Sequence, residues 1–376
     1  MTKIILVANT DWYLFNFRLS LARFLRNQGW EVLFVSPAGR FVEKIEQQRF
    51  RWIPWNLGRK TVTPWRELPS LLELGRIYRN EKADLIHHHT IKPVIYGSLA
   101  ARLAGKPALV NSITGRGYVF RGDDKRAALL RWMVKPLYKL ALSLPNCALV
   151  FENENDRRYF IHQGLVPVQQ TWLIEGVGVD EEVFSPLPEP VGEPVVLMAA
   201  RLLWDKGLGV LVEAARLLHQ RVRVRVVLVG SPDPGNPKSV EEDTLRGWHD
   251  EGVIEWWGWQ DDMQQVYSRC HIVALPTMYG EGVPTTLLEA AACARPLVAT
   301  DIPGCRAIVE DGKNGFLVQP DDPQGLADAI ERLVIDPQLR VKMGLAGRQF
   351  VVDKYTKVKI NLATFTVYQT VLNCGK

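Results

Sequence analysis

Short, continuous apolar runs alternate with helical patterns along most of this chain. The first run is Ile4–Ala8, and helical spacing follows it over Phe17–Arg26. Continuous apolar strands that alternate with helices are typical of a parallel sheet covered by helices on both faces. The alternation stops at Ser185–Pro194, which holds four prolines in ten residues, and it restarts at Val195–Ala199. The sequence therefore predicts two α/β domains joined by a linker.

The predicted domains are residues 1–185 and 186–355, each a doubly wound, Rossmann-like sheet, with a cleft between them. The last helical segment, about 356–373, is expected to pack back on the first domain. A length of 376 residues suits two domains. No run of 18 apolar residues occurs, and the first apolar run is too short for a signal peptide. We therefore predict neither a transmembrane helix nor a secretory leader.

The charge of the chain is distributed unevenly. Residues 1–185 carry 26 Lys and Arg against 17 Asp and Glu, whereas the remainder carries 20 against 24. One basic half and one slightly acidic half suggest two surfaces with different partners. The five cysteines form no Cys-x-x-Cys pair, which favours free thiols in a reducing compartment over disulfides or a zinc site.

The segment after Tyr279 combines carboxylates with the start of an apolar helix. A Pro-Thr-Thr step opens this helix, so its first N–H groups and its dipole favour an anion such as phosphate. Glu281 precedes the helix and Glu289 lies two turns into it, where carboxylates suit the hydroxyls of a sugar or a ribose. The alternative is a capped helix in which Glu281 only complements the dipole. The candidate binding residues are Gly282, Val283, Pro284, Thr285, Thr286, Leu287 and Glu289.

Two cations follow the first strand of the second half. Arg201 and Lys206 stand at a strand-to-helix turn, and ligands of doubly wound sheets bind at that carboxyl edge. Two cations there match a diphosphate. The alternative is a solvated pair of surface charges. The first strand of the chain leads into Asn9-Thr10-Asp11 rather than a Gly-x-Gly-x-x-Gly turn, which disfavours an ordinary dinucleotide site.

Together these segments resemble the donor-binding motifs of the family 4 retaining glycosyltransferases, which have the GT-B fold. The match is Arg-x4-Lys at Arg201 and Lys206, with Glu-x7-Glu at Glu281 and Glu289. The resemblance extends over nearly the whole chain. Two segments, residues 89–100 and 114–120, are similar to the sequences of members that build bacterial lipid-linked or capsular saccharides, such as the bacillosamine-extending N-acetylgalactosaminyltransferases.

The resemblance implies a role for each matched residue. Arg201 and Lys206 would hold the donor diphosphate and stabilise the leaving group, helped by the N–H groups of Thr285, Thr286 and Leu287. Glu281 would contact the donor sugar, and Glu289 the ribose. The donor would be a nucleotide sugar, expected to be UDP-linked. We expect neither a metal nor another cofactor, since no Asp-x-Asp motif occurs and cations can stabilise the departing diphosphate.

The acceptor implied by the resemblance is a polyprenyl-diphosphate-linked saccharide at the inner face of the cell membrane. Candidate acceptor-side residues are Asp11, Asn16, Arg18, His89 and Thr114. Thr114 stands where many members of the family have a histidine close to the donor sugar, so this chain departs from the family pattern at that position. Asp11 could orient or deprotonate an acceptor hydroxyl, or it could be a loop carboxylate or cap. Asn16 and Arg18 open the first helix and could face an acceptor phosphate, although Arg18 could equally be a surface charge.

Two further segments carry polar or basic patterns. The triplet His87-His88-His89 cannot converge on one metal, because neighbouring strand residues point to opposite faces. Residues 125–142 interleave cations with apolar residues, which fits either an anionic membrane surface or a core helix with a basic face.

Three alternatives remain at this point. The first is a GT-B transferase with a soluble acceptor. The second is a sugar-nucleotide epimerase of similar shape, which the Arg-x4-Lys and Glu-x7-Glu motifs disfavour. The third is a protein that binds nucleic acid through its basic half, although no nucleic-acid module is visible.

Overall fold

A computed structural model describes residues 1–58, 64–105, 107–115, 135–278 and 282–374, with the backbone alone at 64–66. The chain forms two compact units. One comprises Met1–Val177 together with Val358–Lys376, and the other comprises Gly178–Lys357. The boundaries differ from the predicted 1–185 and 186–355.

The proline-rich stretch is not a free linker, because it packs on the second unit. The Glu189 carboxylate forms an ion pair with the buried Arg340 guanidinium at 2.8 Å. The Pro190 carbonyl accepts a hydrogen bond from His271 Nε2 at 2.9 Å, and the Pro188 carbonyl accepts one from Arg295 at 3.2 Å. These partners are distant in sequence, so the proline content alone gave the wrong interpretation.

The first unit is built on a seven-stranded sheet in the order β3-β2-β1-β4-β5-β6-β7, with every neighbouring pair parallel. Its strands are β1 (Lys3–Val7), β2 (Glu31–Ser36), β3 (Arg51–Pro54), β4 (Leu85–His89), β5 (Ala108–Ile113), β6 (Cys147–Phe151) and β7 (Thr171–Leu173). Its helices include α1 (Asp11–Asn27), α2 (Val42–Gln47), α3 (Pro64–Glu81), α4 (Ile91–Leu103) and α5 (Glu154–His162), and residues 135–142 are also helical.

The apolar runs form this sheet because alternate side chains fill a core on each face. Ile5 and Val7 of β1 belong to one buried cluster, whereas Ile4 and Leu6 belong to the other. A strand that is buried on both faces needs apolar residues at every position, which explains the unbroken runs. Local caps start the helices: the Thr10 hydroxyl accepts the N–H of Tyr13 at 3.1 Å at the beginning of α1.

The second unit has a six-stranded parallel sheet in the order β10-β9-β8-β11-β12-β13. Its strands are β8 (Val195–Ala199), β9 (Arg225–Val229), β10 (Glu255–Trp256), β11 (Ile272–Leu275), β12 (Leu297–Thr300) and β13 (Gly315–Val318). Its helices are α6 (Leu208–His219), α7 (Glu242–Asp250), α8 (Met263–Ser268), α9 (Thr285–Ala292), α10 (Pro303–Arg306), α11 (Pro323–Ile335) and α12 (Pro337–Lys354).

The last helix, α13 (Lys357–Cys374), packs on the first unit. Phe365 contacts the rings of Phe24 and Trp30, and the Asn361 amide donates to Ser20 at 3.0 Å. Tyr368 hydrogen-bonds His87 of β4 through its hydroxyl at 2.5 Å. In the part of the chain that the structure covers, no helix is both long and apolar enough to cross a membrane.

Candidate active site

The strand order of the second sheet reverses between β8 and β11. These strands lie side by side, with Ile272 opposite Val196. After β8 the chain adds β9 and β10 on one side of this pair, and after β11 it adds β12 and β13 on the other side. Their carboxyl ends open a crevice, where ligands of doubly wound sheets bind. The predicted Arg201 and Gly282–Leu287 segments follow these two strands, so the fold brings both motifs to the same crevice.

Two hydrogen bonds join the segments directly. Thr286 donates its hydroxyl to the carbonyl of Ala199, the last residue of β8, at 3.0 Å. Met278 donates its N–H to the Asp205 carbonyl, also at 3.0 Å. These two bonds therefore fix the segment around the start of α9 relative to the turn at Trp204–Lys206.

Gly207 makes this close approach possible. Its φ is +81°, and a Cβ at this position would lie 1.9 Å from the Pro276 carbonyl oxygen. Both the positive φ and the short contact exclude a residue with a Cβ at this position. The glycine after Lys206 is thus dictated by the contact with the end of β11.

The two predicted cations lie on this first loop. The Arg201 side chain is 61% exposed, and its guanidinium contacts the Asp233 carboxylate at 3.4 Å. Lys206 closes the Trp204–Lys206 turn. Asp233 was missed from the sequence, although its place after β9, the neighbour of β8, is a signal that points to the same edge.

The first turn of α9 offers two N–H groups. Pro284 has an extended backbone and precedes the helix. The N–H of Leu287 donates to the Pro284 carbonyl at 3.1 Å, so it is used within the first turn. The N–H groups of Thr285 and Thr286 have no acceptor among the described residues. Val283 is buried beside this turn, Gly282 is partly exposed, and Glu281 lies outside the described residues.

Glu289 is held inside the second unit by a residue that sequence reasoning missed. The buried Tyr267 of α8 donates its hydroxyl to the Glu289 carboxylate at 3.0 Å, and the same hydroxyl lies 3.3 Å from the Thr286 carbonyl. Burial raises the pKa of Glu289 to about 7, although the Tyr267 hydrogen bond and the Lys357 charge act in the opposite direction. The carboxyl group therefore changes charge near neutral pH.

The acceptor-side candidates in the first unit differ in what they contact. Asp11 is buried and accepts the backbone N–H groups of Trp12 at 2.9 Å and Phe41 at 2.6 Å. It also packs so closely on Gly39 that a Cβ there would lie 2.3 Å from its carboxylate. These contacts favour the loop-holding alternative for Asp11. Asn16 is exposed and its amide donates to the Trp12 carbonyl.

Arg18, His89 and Thr114 lie in or beside the carboxyl edge of the first sheet. Arg18 is buried, so its interpretation as a surface charge is wrong. His89 ends β4 and is also buried, and Thr114 follows β5 and is partly exposed.

The other two histidines of the triplet belong to satisfied hydrogen-bond networks on opposite faces of the sheet. His87 contacts the hydroxyls of Tyr368 and Ser112, the latter at 2.7 Å. His88 contacts Tyr78 at 2.9 Å and Asn111 at 2.7 Å. Burial lowers the pKa of each ring, so both are neutral. Within the described residues, no three His, Cys, Asp or Glu side chains are grouped to hold a metal ion.

Comparison with known proteins places this architecture. Residues 193–336 match the family described as "Glycosyl transferases group 1", and residues 3–151 match "Glycosyl transferase 4-like". A relative from Campylobacter jejuni, N,N'-diacetylbacillosaminyl-diphospho-undecaprenol alpha-1,3-N-acetylgalactosaminyltransferase, is 26% identical over 89% of this chain and 90% of its own length. The Escherichia coli UDP-Gal:alpha-D-GlcNAc-diphosphoundecaprenol alpha-1,3-galactosyltransferase is 26% identical over 80% of this chain and 79% of its own.

Solved structures share the fold over almost the entire chain. HepE of Anabaena, in complex with UDP and glucose, has a TM-score of 0.79 at 21% identity and covers 98% of this chain and 100% of its own. A glycosyltransferase from Rickettsia africae has a TM-score of 0.80 at 19% identity, with 99% and 98% covered. Two doubly wound units of this kind define the GT-B class. The chain belongs to the family 4 glycosyltransferases of that class.

The partly buried Glu289 carboxyl predicts a pH-dependent stability. Its pKa is higher in the folded chain, at about 7, than the ordinary value of 4.5, so the folded state loses stability as the pH rises between these values. Glu289→Gln removes this dependence. We expect the stability of the wild type relative to Glu289→Gln to fall by roughly 1–3 kcal/mol between pH 5 and pH 8, measured by denaturant unfolding. Glu213→Gln, an exposed position on α6, is the control, and parallel curves for wild type and Glu289→Gln would contradict the assignment.

Proposed function

We propose that this enzyme is a retaining glycosyltransferase that moves a sugar from a UDP-sugar to a polyprenyl-diphosphate-linked saccharide. The reaction would serve the synthesis of bacterial surface polysaccharides or glycans. The observation that carries the proposal is the joining of the Arg201–Lys206 loop to the start of α9 at the β8–β11 crevice, through Thr286 and Ala199. UDP bound to HepE and the UDP-Gal donor in the name of the E. coli relative support the choice of donor.

The donor diphosphate binds between the two loops in this proposal. Arg201 and Lys206 supply positive charge, and the N–H groups of Thr285 and Thr286 add oriented donors at a helix start. Arg201 turns from Asp233 to the phosphate, since an exposed pair at 3.4 Å is weak. Glu289, fixed by Tyr267, accepts the ribose hydroxyls, and Glu281 contacts the donor sugar.

These groups act on the leaving group. As the bond from the sugar C1 to the diphosphate oxygen breaks, negative charge collects on UDP and the sugar becomes oxocarbenium-like. Two cations and the N–H groups stabilise that charge without a metal ion. The acceptor hydroxyl oxygen forms the new bond to C1 on the face that the diphosphate leaves, and its proton passes to a departing phosphate oxygen. With an α-linked UDP-sugar as donor, the α linkages in both relatives' names support retention of configuration.

The donor proposal is tested by thermal stabilisation with a panel of nucleotides. We expect UDP and UDP-sugars to raise the Tm, because ligands that bind only the folded state stabilise it, whereas GDP, ADP and NAD leave it unchanged. At a concentration of 100 Kd the gain is about 2.7 kcal/mol. An equal response to GDP or ADP would contradict the choice of UDP.

Removal of either cation tests the role of the crevice. Arg201→Ala and Lys206→Ala should each lower kcat/KM by about 10²–10³-fold, the loss typical of a group that stabilises charge in the transition state. Arg216→Ala is the matched control, because this exposed arginine on α6 pairs with Glu251 at 3.0 Å. Near-normal kcat/KM in both crevice variants would defeat the assignment.

We also propose that the enzyme contacts the inner face of the cell membrane peripherally. The lipid-linked substrates in the relatives' names support this location. In the described part of the basic segment, the side chains of Leu137 and Leu140 are exposed beside the exposed Lys139. Apolar residues flanked by cations are typical of helices at anionic membrane surfaces.

Sedimentation with anionic vesicles tests this contact. The wild type should sediment at moderate salt, and replacing Leu137 and Leu140 with Glu should reduce the bound fraction several-fold, since it removes apolar area and adds repulsion. Leu362→Glu, at an exposed position of α13, serves as the control. A wild type that stays in the supernatant would rule out the membrane contact.

A further inference from the structure

Arg18 is a buried cation in the first unit. The residue is 6% exposed, and one guanidinium nitrogen donates to the Tyr13 hydroxyl at 2.7 Å. Its Nε is buried without a hydrogen-bond partner. In the part of the chain that the structure describes, no carboxylate forms an ion pair with Arg18. The guanidinium therefore has one neutral partner and an unused N–H donor.

A buried charge without a counter-ion is costly to fold. Transfer of an isolated cation from water into the interior carries a penalty of several kcal/mol, which neutral hydrogen bonds offset only in part. Glu152 lines the same small cavity as Arg18. The arrangement is consistent with a guanidinium whose counter-ion comes from a ligand.

A second group of buried polar atoms without hydrogen-bond partners lies near Tyr13. His89 is fully buried, its ring lies 5.6 Å from that of Tyr13, and neither of its ring nitrogens has a partner. The hydroxyl of the next residue, Thr90, is likewise buried and unpartnered. Burial and the nearby Arg18 charge keep the pKa of His89 well below its ordinary value, so the ring is neutral and supplies one N–H donor.

The backbone at Thr90 is strained in the same place. Its φ is +71°, in the left-handed region that β-branched residues avoid. Residues held in such conformations cluster at ligand sites, where the surrounding structure imposes them. Thr90 follows β4, and the order of the first sheet reverses between β1 and β4, so the cluster lies at the carboxyl edge where ligands bind.

We propose that Arg18, His89 and Thr90 form a binding site for a phosphate group in the first unit. Each of the three side chains can offer an N–H or O–H donor to the oxygens of an anion, and the guanidinium supplies the opposite charge. Arg18 also lines a cavity of about 10 Å³, which has room for a single water-sized group, but His89 and Thr90 are not among its lining residues and Glu152 is. The phosphate is therefore placed at the edge of the sheet and not in this cavity. If the proposed function holds, the natural source of this phosphate is the diphosphate of the prenyl-linked acceptor.

The test uses the full chain with Arg201 and Lys206 both replaced by Ala, so that the crevice of the second unit does not bind the probe. Inorganic pyrophosphate should raise the Tm of this background. Adding Arg18→Met should raise the Tm without ligand, because a buried unpaired charge becomes apolar, and should weaken pyrophosphate binding at least ten-fold. Arg23→Met, an exposed arginine on the same helix, should change neither quantity.

The proposal is overturned if pyrophosphate fails to stabilise the background, or if Arg18→Met binds it as tightly as the background does. Should Arg18→Met not fold, Thr90→Val is the second variant, and unchanged pyrophosphate affinity there would also overturn the site. Farnesyl diphosphate distinguishes the source: tighter binding than pyrophosphate supports a prenyl diphosphate, and equal binding supports a free phosphate. UDP stabilisation of the unaltered chain is scored separately, so its absence would count against the proposed function alone.

Discussion

The contact between the ends of β8 and β11 is the constraint on which the crevice of the second unit depends. Parallel strands with reversed order leave two loops at one edge, but the fold alone does not fix the distance between them. Gly207 lets the first loop reach the Pro276 carbonyl, and the Thr286 hydroxyl closes the gap to Ala199. The positive φ of Gly207 and one hydrogen bond therefore place the loop that carries Arg201 and Lys206 beside the start of α9.

The buried hydroxyl of Tyr267 extends this arrangement into the interior. It bridges the first turn of α9 and the Glu289 carboxylate, so one hydroxyl group holds both the start of the helix and this carboxylate. A carboxylate that is partly buried and hydrogen-bonded loses little orientational freedom when a ligand arrives. The same burial makes its charge sensitive to pH near 7.

Much of this could be predicted from sequence, because apolar runs and motif spacing are local signals. The strands, their alternation with helices and the crevice motifs follow from neighbours in the chain. What failed depends on partners far apart in sequence: Glu189 with Arg340 anchors a stretch that resembles a linker, and Tyr267 reaches Glu289 from another helix. The burial of Arg18 was missed for a related reason, since the pattern of α1 does not reveal what covers it.

The two units place their arginines in opposite environments, and the contrast carries a mechanistic consequence. Arg201 is exposed beside Asp233, so turning towards a ligand costs this side chain little. Arg18 is enclosed, with Tyr13 as its hydrogen-bond partner, so a bound anion would relieve a standing penalty of the folded state. Binding at Arg18 would therefore also stabilise the carboxyl edge of the first sheet, where Thr90 is strained.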